Sequence, residues 1–439
     1  MSLIKNINTE IKKNVQNSRQ GNIAFGLKDM SIPDFLPKPT RTEEFDFILN
    51  DNELFKRTNG FVIEIQDFYN ITQNCRRYAN QETLEKGIKN PYDKFKEKIL
   101  MIDVLPEQLY YKCIERKSFK KLSDIPQSLN NLINSDIDTY ESCWKDIYNK
   151  KQGLDIQTWV LKTESSMNAS TVMPLTPFLN KPSFQLLRIN SEMNIKLQDA
   201  YAISMKEYEA EPSINYSMNY SVFENNKFTD KLIESVYVLA ELQKKRALER
   251  DLRKASIIFI KIYKLDTDKT QCRDNFKSFL NNIPNIRDNY DLNFVFLDCT
   301  DLQGQLYLSC GADFFSERTT GRTVITSSDK GMGVKGRIYL AEDGYYKYVS
   351  YEEYEKKFIA NGNKPLCKHE YCSKILKADI SNRNYINYNK ESRRIHNTLS
   401  KFDDIDEMLK AQKEKTLRDI KFKIGHSNDA SLNYLNPLN

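Results

Sequence analysis

The chain of 439 residues is 40% hydrophobic and 11% aromatic, which excludes an intrinsically disordered protein and provides for a sizeable core. Its 66 Lys and Arg residues against 60 Asp and Glu residues leave a net charge of +6, which permits a nucleic-acid partner without requiring one. No stretch approaches a membrane span or a signal peptide, and most of the eight cysteines show no paired spacing, so we expect a cytoplasmic protein with no membrane partner.

Short apolar runs alternate with longer polar segments through the first half of the chain. A proline-punctuated segment at Ile32–Thr40 disfavours helix and predicts extended chain. Later apolar runs predict strands, namely Gly60–Ile65, Ile99–Leu105, Ile156–Leu161 and Phe184–Ile189. The segments between these runs are polar and of helical length, so the pattern indicates βα units.

The same alternation continues in the second half. Phe228–Lys254 predicts a helix, Ile257–Ile262 a strand, 271–282 a helix and Leu292–Leu297 another strand. Repeated βα units make a parallel sheet and an α/β fold. We predict a (β/α)8 TIM barrel with insertions rather than a doubly wound sheet, because the glycine-rich phosphate fingerprint of the latter follows none of the strands.

Further elements are predicted towards the C-terminus. Asp301–Phe315 predicts a helix followed by a strand, and Thr323–Thr326 with Gly336–Leu340 predicts a β-hairpin. Ser400–Lys423 predicts a final helix that begins acidic and ends basic, as the helix dipole favours.

A pattern of metal ligands lies between the hairpin and the final helix. Cys367, His369 and Cys372 form a C-x-H-x2-C motif, and His396 follows after 23 residues. Thiolate and imidazole are the ligands that Zn²⁺ prefers, and two of the chain's three histidines belong to this pattern. We predict one structural Zn²⁺ per chain in a closed four-ligand site that performs no chemistry. The alternative is two buried thiols and two surface histidines.

The C-terminal third resembles the tRNA-guanine transglycosylase superfamily. Its members share a C-x-C-x2-C zinc motif with a distant histidine followed by asparagine; here Asn397 completes that pair and His369 stands at the middle cysteine. The segment Cys310–Phe315, with Arg318 and Arg322 after it, is similar to the family's Gly-x-Asp-x-Phe-Asp segment and arginine-bearing loop.

Two stretches nearer the N-terminus also resemble this family. Arg19–Pro37 is similar to its opening strand, and Lys98–Asp103 to the strand that delivers its first active-site aspartate. The resemblance implies a TIM barrel over 1–360, then a zinc-binding subdomain and C-terminal helices over 361–439. It also implies action on an N-glycosidic bond of a nucleic acid. The tRNA members exchange guanine for a deazapurine, and DNA-acting members insert deazaguanine or excise a modified base in antiviral defence.

Carboxylates near two strand ends are the catalytic candidates. Asp103 ends an apolar strand, where it can stabilise a cationic sugar or activate water, although it can also cap the next helix. Ser316 stands where the family has its nucleophilic aspartate, so Asp313 or Glu317 beside it is expected to supply the carboxylate. Asp313 can also be a loop residue that bonds its own backbone. We favour hydrolysis that leaves an abasic site, because it needs fewer groups than base exchange.

Basic side chains follow the candidate site. Arg318, Arg322, Lys330, Lys335 and Arg337 predict a phosphate clamp, although such a group also forms an ordinary solvated face. We expect DNA with a modified base as the partner rather than tRNA, because no extra RNA-binding domain of the archaeal tRNA kind follows the zinc segment. The alternatives are a transglycosylase that inserts a deazaguanine into DNA or tRNA, and a non-catalytic nucleic-acid-binding subunit of a transglycosylase. An oligomer is compatible with each.

Overall fold

The structure, a computed structural model, describes most of the chain. The described residues are 21–25, 28–32, 34–39, 44, 48–65, 98–104, 106–111, 124–204, 210–249, 256–263, 270–299, 303–319, 337–342, 345–364, 366–375 and 390–413. For some residues within these ranges only the backbone is described, among them Arg337.

The described strands form two parallel sheets and two antiparallel pairs. They are β1 (Gly21–Phe25), β2 (Lys28–Ile32), β3 (Asp34–Lys38), β4 (Gly60–Glu64), β5 (Ile99–Asp103), β6 (Thr171–Val172), β7 (Glu211–Pro212), β8 (Ile214–Asn219), β9 (Ser256–Tyr263), β10 (Leu292–Leu297), β11 (Phe314–Arg318), β12 (Arg337–Glu342) and β13 (Tyr345–Ser350). One parallel sheet has the order β3-β11-β10-β9-β8, and the other has the order β4-β5-β6-β7. The antiparallel pairs are β1 with β2 and β12 with β13.

Helices make most of the connections between the parallel strands. They are α1 (Asn52–Arg57), α2 (Pro106–Tyr111), α3 (Gln127–Asn134), α4 (Ile137–Asn149), α5 (Gly153–Ser166), α6 (Phe184–Ser204), α7 (Asn226–Glu249), α8 (Thr270–Tyr290), α9 (Gln303–Ser309), α10 (Tyr351–Ala360), α11 (Glu370–Ile375) and α12 (Lys390–Lys413). Within the described ranges, no helix combines the length and the apolar character that crossing a bilayer requires.

Two of the fully buried strands carry their charge at one end. Every residue of β4, β5 and β10 is buried, and runs of Val, Ile, Leu and Phe suit strands that lie in the interior on both faces. In β4 and β5 the charged residues are the last ones, Glu64 and Asp103. The sequence therefore places buried charge where these strands end.

The two parallel sheets adjoin at both of their edges. β3, the edge strand of the larger sheet, lies against β4, the edge strand of the smaller one. At the opposite edges, Ser213 alone separates β7 from β8. The first parallel strand, β3, also pairs along its whole length with the last, β11.

Two of the predicted strands are wrong. Ile156–Leu161 lies inside α5, and Phe184–Ile189 forms the first turns of α6. In α5 the buried residues Ile156, Trp159 and Val160 recur at intervals of three and four, which is the period of a helix. A short apolar run does not distinguish a strand from a buried helix, and here the length of the whole element decides.

The strands that the sequence did not reveal are short or partly polar. β6 has only two residues, and β8 alternates apolar residues with Asn and Ser. The Tyr216 hydroxyl lies 2.6 Å from Ser235 of α7, so the apolar set of β8 faces the helices. Asn215 and Ser217 face the opposite side, because alternate side chains of a strand point in opposite directions.

Most of the other predicted elements are confirmed. β12 pairs with β13, whereas the predicted partner Thr323–Thr326 lies outside the described residues. The final helix α12 begins at Lys390 rather than near Ser400, and 414–423 lies outside the described residues. The confirmed strands and helices are β4, β5, β9, β10, α7, α8 and the succession of α9 and β11.

A second, smaller core lies in the C-terminal part. Residues of β12, β13 and α10 pack there with Cys372 and Ile375 of α11. This core joins residues on both sides of the predicted boundary at 361. α12 instead packs on the main core, where the ring of Phe402 meets that of Phe35 on β3 at 5.4 Å.

Candidate functional site

Charged side chains gather where the parallel strands end. This edge of an α/β sheet commonly holds the functional site, because the loops that follow can vary without disturbing the sheet. We call the residues below, together with Glu107 of α2, the strand-end cluster. All of them are buried or nearly so. They are Lys38 at the end of β3, Glu64 at the end of β4, Asp103 at the end of β5, Lys261 in β9, Asp298 directly after β10 and Arg318 at the end of β11.

Lys38 joins the two sheets through three carboxylates. Its Nζ donates to Asp103 Oδ2 at 2.6 Å and to Asp298 Oδ1 at 2.7 Å. It also lies 3.1 Å from Glu64 Oε1, to which Arg318 donates as well. Since Lys38 belongs to one sheet and Glu64 and Asp103 to the other, these ion pairs fix the two sheets against each other at this edge.

Lys261 lies between three carboxylates. Its Nζ is 2.5 Å from Asp103 Oδ2, 2.7 Å from Asp298 Oδ2 and 2.8 Å from Glu107 Oε1. The Tyr263 hydroxyl donates to Asp298 at 3.2 Å. Removing one partner from a buried ion pair leaves an uncompensated charge and costs about 3–5 kcal/mol, so the cluster depends on this ammonium.

The same three carboxylates have the spacing of a cation site. Within the described ranges, Asp103, Glu107 and Asp298 form a group whose ligand oxygens all lie within 4.8 Å of one another. A set of oxygens suits Mg²⁺ or Ca²⁺. The Nζ of Lys261 contacts all three carboxylates, so an ammonium already occupies the position that a metal cation would take.

The carboxyl groups of the cluster have pKa values that are shifted in opposite directions. Burial alone would raise the pKa of Asp103, but the ammonium groups of Lys261 and Lys38 lower it below its ordinary value. The same balance lowers the pKa of Asp298. Burial raises the pKa of Glu107, and Lys261 offsets this only in part because Asp103 repels a second negative charge. One ammonium is therefore shared by two ionised carboxylates and one group that binds its proton more tightly than usual.

Asp298 adopts the left-handed backbone conformation. Its φ is 52°, a region that costs residues with a Cβ about 1–2 kcal/mol, although Asp enters it more readily than most. Its backbone N–H donates to Ser316 Oγ at 3.2 Å on the adjacent β11. The N–H of Cys299 donates to the Ser316 carbonyl at 2.8 Å. These bonds fix the turn after β10, which directs the Asp298 carboxylate into the cluster.

Sequence reasoning found Asp103 and, as part of the predicted phosphate clamp, Arg318, but it missed the other members of the cluster. Asp298 directly follows a confirmed strand, which is the signal that had identified Asp103. Glu64 and Lys261 stand within predicted apolar runs, where a charged residue is a sign of buried pairing. Lys38 stands between two prolines in an extended segment, and no local signal marks it.

The structure does not bring Asp313 and Glu317 into the strand-end cluster. Asp313 precedes β11, at the amino end of that strand, and its carboxylate accepts from the Phe294 N–H at 2.9 Å. Glu317 is next to Arg318 on β11, but neighbouring side chains of a strand face opposite sides. It pairs with Lys401 of α12 at 3.0 Å.

Little of the predicted phosphate clamp falls within the described residues. Arg318 belongs to the strand-end cluster, where it bonds Glu64. Of Arg337, only the backbone at the start of β12 is described. Three further predicted positions lie outside the described ranges, namely Arg322, Lys330 and Lys335.

The predicted zinc ligands lie near one another where α11, α12 and β12 meet. Cys367 Sγ is 3.6 Å from His396 Nδ1, which is about the separation of a sulfur and a nitrogen bound to one tetrahedral zinc. The Tyr354 hydroxyl lies 2.5 Å from Cys372 Sγ, and the rings of His369 and His396 are 5.7 Å apart. The four side chains do not all converge within 4.8 Å.

Groups outside the ligand set orient both histidines. His396 Nε2 lies 2.9 Å from the Tyr339 carbonyl, which can only accept, so Nε2 carries the proton and Nδ1 keeps its lone pair. His369 Nε2 lies 2.9 Å from Asp403 Oδ2. Metal-bound histidines generally bond a carbonyl or a carboxylate with the second nitrogen in this way. Burial lowers the pKa of His396 to about 4, so its imidazole is neutral at pH 7.

A scan against protein-family models finds no match to this chain, and a search of curated proteins finds none either. The resemblance to the transglycosylases therefore stays a prediction.

Proposed function

We propose that the chain is a nucleic-acid base glycosidase that cleaves the N-glycosidic bond of a modified base in DNA and leaves an abasic site. The observation that carries the proposal is the buried pair Asp103 and Glu107, which share the ammonium of Lys261 but differ in their affinity for a proton. Glycosidic cleavage generally uses two carboxyl groups, one ionised and one protonated. A role in antiviral defence follows from the family resemblance.

Each of the two carboxyl groups has its own role in this proposal. Ionised Asp103 stabilises the positive charge that develops on the sugar as its bond to the base breaks. Glu107, whose burial favours the protonated form, donates its proton to the departing base nitrogen. Lys261 holds both side chains in place through contacts of 2.5 and 2.8 Å.

The charge of the strand-end cluster also favours this chemistry. Once Glu107 has donated its proton, the four carboxylates of the cluster exceed its three cations by one negative charge. Opposite charges attract more strongly in a buried site than in water, so a sugar that becomes cationic gains stabilisation there.

We include in the proposal that the two parallel sheets close into one (β/α)8 TIM barrel with insertions. Support comes from the pairing of β3 with β11, from the contact of β3 with β4, and from the single residue between β7 and β8. With β7 and β8 counted as one strand, the barrel has eight parallel strands. The strand-end cluster would then lie at the mouth where such barrels hold their active sites.

We also propose that Cys367, His369, Cys372 and His396 hold one structural Zn²⁺. The 3.6 Å separation of Cys367 Sγ and His396 Nδ1 supports this, as do the bonds that both histidines make with their second nitrogens. Such an ion would join α11 to α12. Four protein ligands leave no open position, so the zinc would take no part in the reaction.

The test of this function is a search for released base. Purified protein is incubated with three nucleic acids: DNA oligonucleotides that contain a 7-deazaguanine, the same oligonucleotides with guanine, and unmodified tRNA. Free base is measured by chromatography, and abasic sites by strand cleavage in alkali. A parallel reaction with radiolabelled deazapurine measures exchange.

We expect free base and abasic sites from the modified DNA, without incorporation of label. Incorporation of label would instead establish a transglycosylase. Binding without release from any of the three nucleic acids would contradict the glycosidase and identify a binding subunit.

A further inference from the structure

We propose that Lys181, Arg188 and Lys227 form a surface that binds the phosphate backbone of DNA beside the target nucleotide. We call these three residues the basic patch; they lie at the starts of α6 and α7. This inference rests on the proposed glycosidase function for the identity of the nucleic acid. It adds the surface that holds the DNA, because no residue of the patch belongs to the strand-end cluster or to the phosphate clamp predicted from the sequence.

The strand-end cluster has no cation to spare for a phosphate. Lys38, Lys261 and Arg318 are each paired with carboxylates, and their side chains are no more than 9% exposed. A nucleotide whose sugar reaches the cluster still carries a phosphate on either side. Contacts to phosphates supply a large share of the affinity of proteins for DNA. The cations that bind these phosphates must therefore lie outside the cluster.

The starts of three helices meet on the side of the sheet where the strand-end cluster lies. α7 follows the carboxyl end of β8, and α8 follows that of β9. The ring of Phe184 in α6 lies 5.6 Å from that of Phe228 in α7, and Gln271 of α8 donates to Asn226 of α7 at 2.6 Å. None of the three helices has an acidic residue in its first turn. Cations at these helix starts are therefore not offset by a carboxylate of the same turn.

The side chains of the basic patch are exposed and carry charge that no ion pair neutralises. Among the residues that the structure describes, Lys181, Arg188 and Lys227 have no carboxylate within ion-pair distance. The Arg188 guanidinium lies over the ring of Tyr148 at 5.4 Å, which holds its position and leaves its charge in place. Three positive charges at one edge of the site complement the negative backbone of DNA.

Hydrogen bonds connect the basic patch to the strand-end cluster. Asn180, the neighbour of Lys181, donates from Nδ2 to the Tyr110 hydroxyl at 2.8 Å. Tyr110 belongs to α2, one turn after Glu107 of the cluster. Asn219 at the end of β8 donates to Asn180 Oδ1 at 3.4 Å. The backbone before α6 is thus fixed beside the cluster, so we infer that a DNA strand whose sugar enters the cluster runs past Lys181.

The experiment compares two pairs of lysines by DNA binding. The patch variant combines Lys181→Ala with Lys227→Ala, whereas Arg188 stays because its guanidinium also packs on an aromatic ring. The control variant combines Lys162→Ala with Lys245→Ala, two exposed lysines towards the C-terminal ends of α5 and α7. At a rise of about 1.5 Å per residue, Lys245 lies about 27 Å from Lys227 along the axis of the same helix.

Binding of a fluorescent 7-deazaguanine duplex is measured by anisotropy between about 50 and 200 mM NaCl. We expect the patch variant to bind about tenfold more weakly than wild type at the lower salt concentration. The slope of log affinity against log salt should become shallower by about 2, because each phosphate contact contributes about 0.9 to that slope. The control variant should match wild type in both quantities. The four lysines are exposed, so the melting temperatures of the three proteins should agree.

The outcomes separate this inference from the proposed function, because base release by wild type is measured on the same duplex. Binding by the patch variant within about twofold of wild type, with an unchanged salt slope, would overturn the inference and leave the glycosidase function standing. An equal loss in the control variant would do the same. Weaker binding by the patch variant alone, without base release by wild type, would support the patch and contradict the glycosidase. A wild-type protein that binds no DNA would contradict both.

Discussion

Three buried carboxylates share the ammonium of Lys261. In Lys261→Met the side chain keeps much of its volume but loses its charge, so Glu107 loses its ammonium partner, and Asp103 and Asp298 keep only that of Lys38. We expect the free energy of unfolding to fall by about 3–5 kcal/mol, measured by urea denaturation with circular dichroism.

An exposed lysine on α7 is the control for this substitution. Lys231 pairs with Glu234 at 2.5 Å, but both side chains are more than half exposed, and such pairs contribute little. Lys231→Met should change the free energy of unfolding by less than about 0.5 kcal/mol. Equal losses in the two variants would contradict the dependence of the cluster on Lys261.

Asp34 makes the stability of the protein depend on pH. Burial raises its pKa to about 7, against about 3.9 in an unfolded chain, so the folded protein binds the proton more tightly. The resulting stabilisation is fully present below about pH 4 and is lost as the pH rises towards 7. The size of the effect is about 1.4 kcal/mol for each pH unit in that window.

The variant Asp34→Asn isolates this effect because its amide does not titrate. Between pH 5 and pH 7 the wild type should lose about 2–3 kcal/mol of unfolding free energy relative to the variant. The measurement is guanidinium denaturation of both proteins at the two pH values. A constant difference between them would show that Asp34 titrates alike in the folded and unfolded chains.

At the residue scale, only part of the site was predictable from the sequence. Asp103 could be identified because it ends an apolar run, and Asp298 shares that signal. The contacts that Lys38 makes with both carboxylates could not be predicted, because Lys38 lies 65 residues from Asp103 and 260 from Asp298 along the chain. A single sequence does not show which strand ends meet.

At the element scale, strands with a continuous apolar run were predictable and the others were not. β10 was predicted with its ends as the structure has them. β6 and β8 were missed because two residues are too few for a pattern and because Asn215 and Ser217 interrupt the apolar sequence. Short apolar runs in α5 and α6 were mistaken for strands, because such a run alone does not distinguish a strand from a buried helix.

The packing of α9 on β11 depends on a glycine. A Cβ added to Gly304 would lie 2.0 Å from Cδ2 of the buried Phe315 ring. A rigid ring in a packed core cannot move far, so Gly304→Ala should lower the free energy of unfolding by about 1–3 kcal/mol. Thermal or chemical denaturation measures the loss.

Gly153→Ala is the comparison for this variant. There the added Cβ meets the terminal methyl of Met193 at 2.4 Å, and a flexible thioether side chain can turn away. The loss should therefore be smaller than for Gly304→Ala. The reverse order would contradict the view that Phe315 fixes the distance between α9 and β11.

At the scale of the whole molecule, α12 ties the C-terminal part to the parallel strands. Phe402 packs on Phe35, and Asp403 bonds both Arg57 of α1 and His369. The proposed zinc would add a second tie between α11 and α12. Such an ion contributes directly to folding, because ligands brought together by the metal are not preassembled in the unfolded chain.

Metal analysis tests the proposed zinc link between α11 and α12. We expect about one zinc per chain, lost in Cys367→Ser and Cys372→Ser, with a lower melting temperature in both variants. His426→Ala should keep its zinc, because the third histidine is outside the proposed ligand set. A folded wild-type protein without zinc would contradict the proposed site.

The most direct test of the strand-end cluster as an active site is base release by Asp103→Asn. Asn keeps the shape of the side chain but cannot stabilise a cationic sugar by charge. We predict that the variant still binds 7-deazaguanine DNA, measured by fluorescence anisotropy, while release of base falls by about 10²–10⁴-fold relative to wild type. Release at the wild-type rate would remove Asp103 from the reaction and contradict the account.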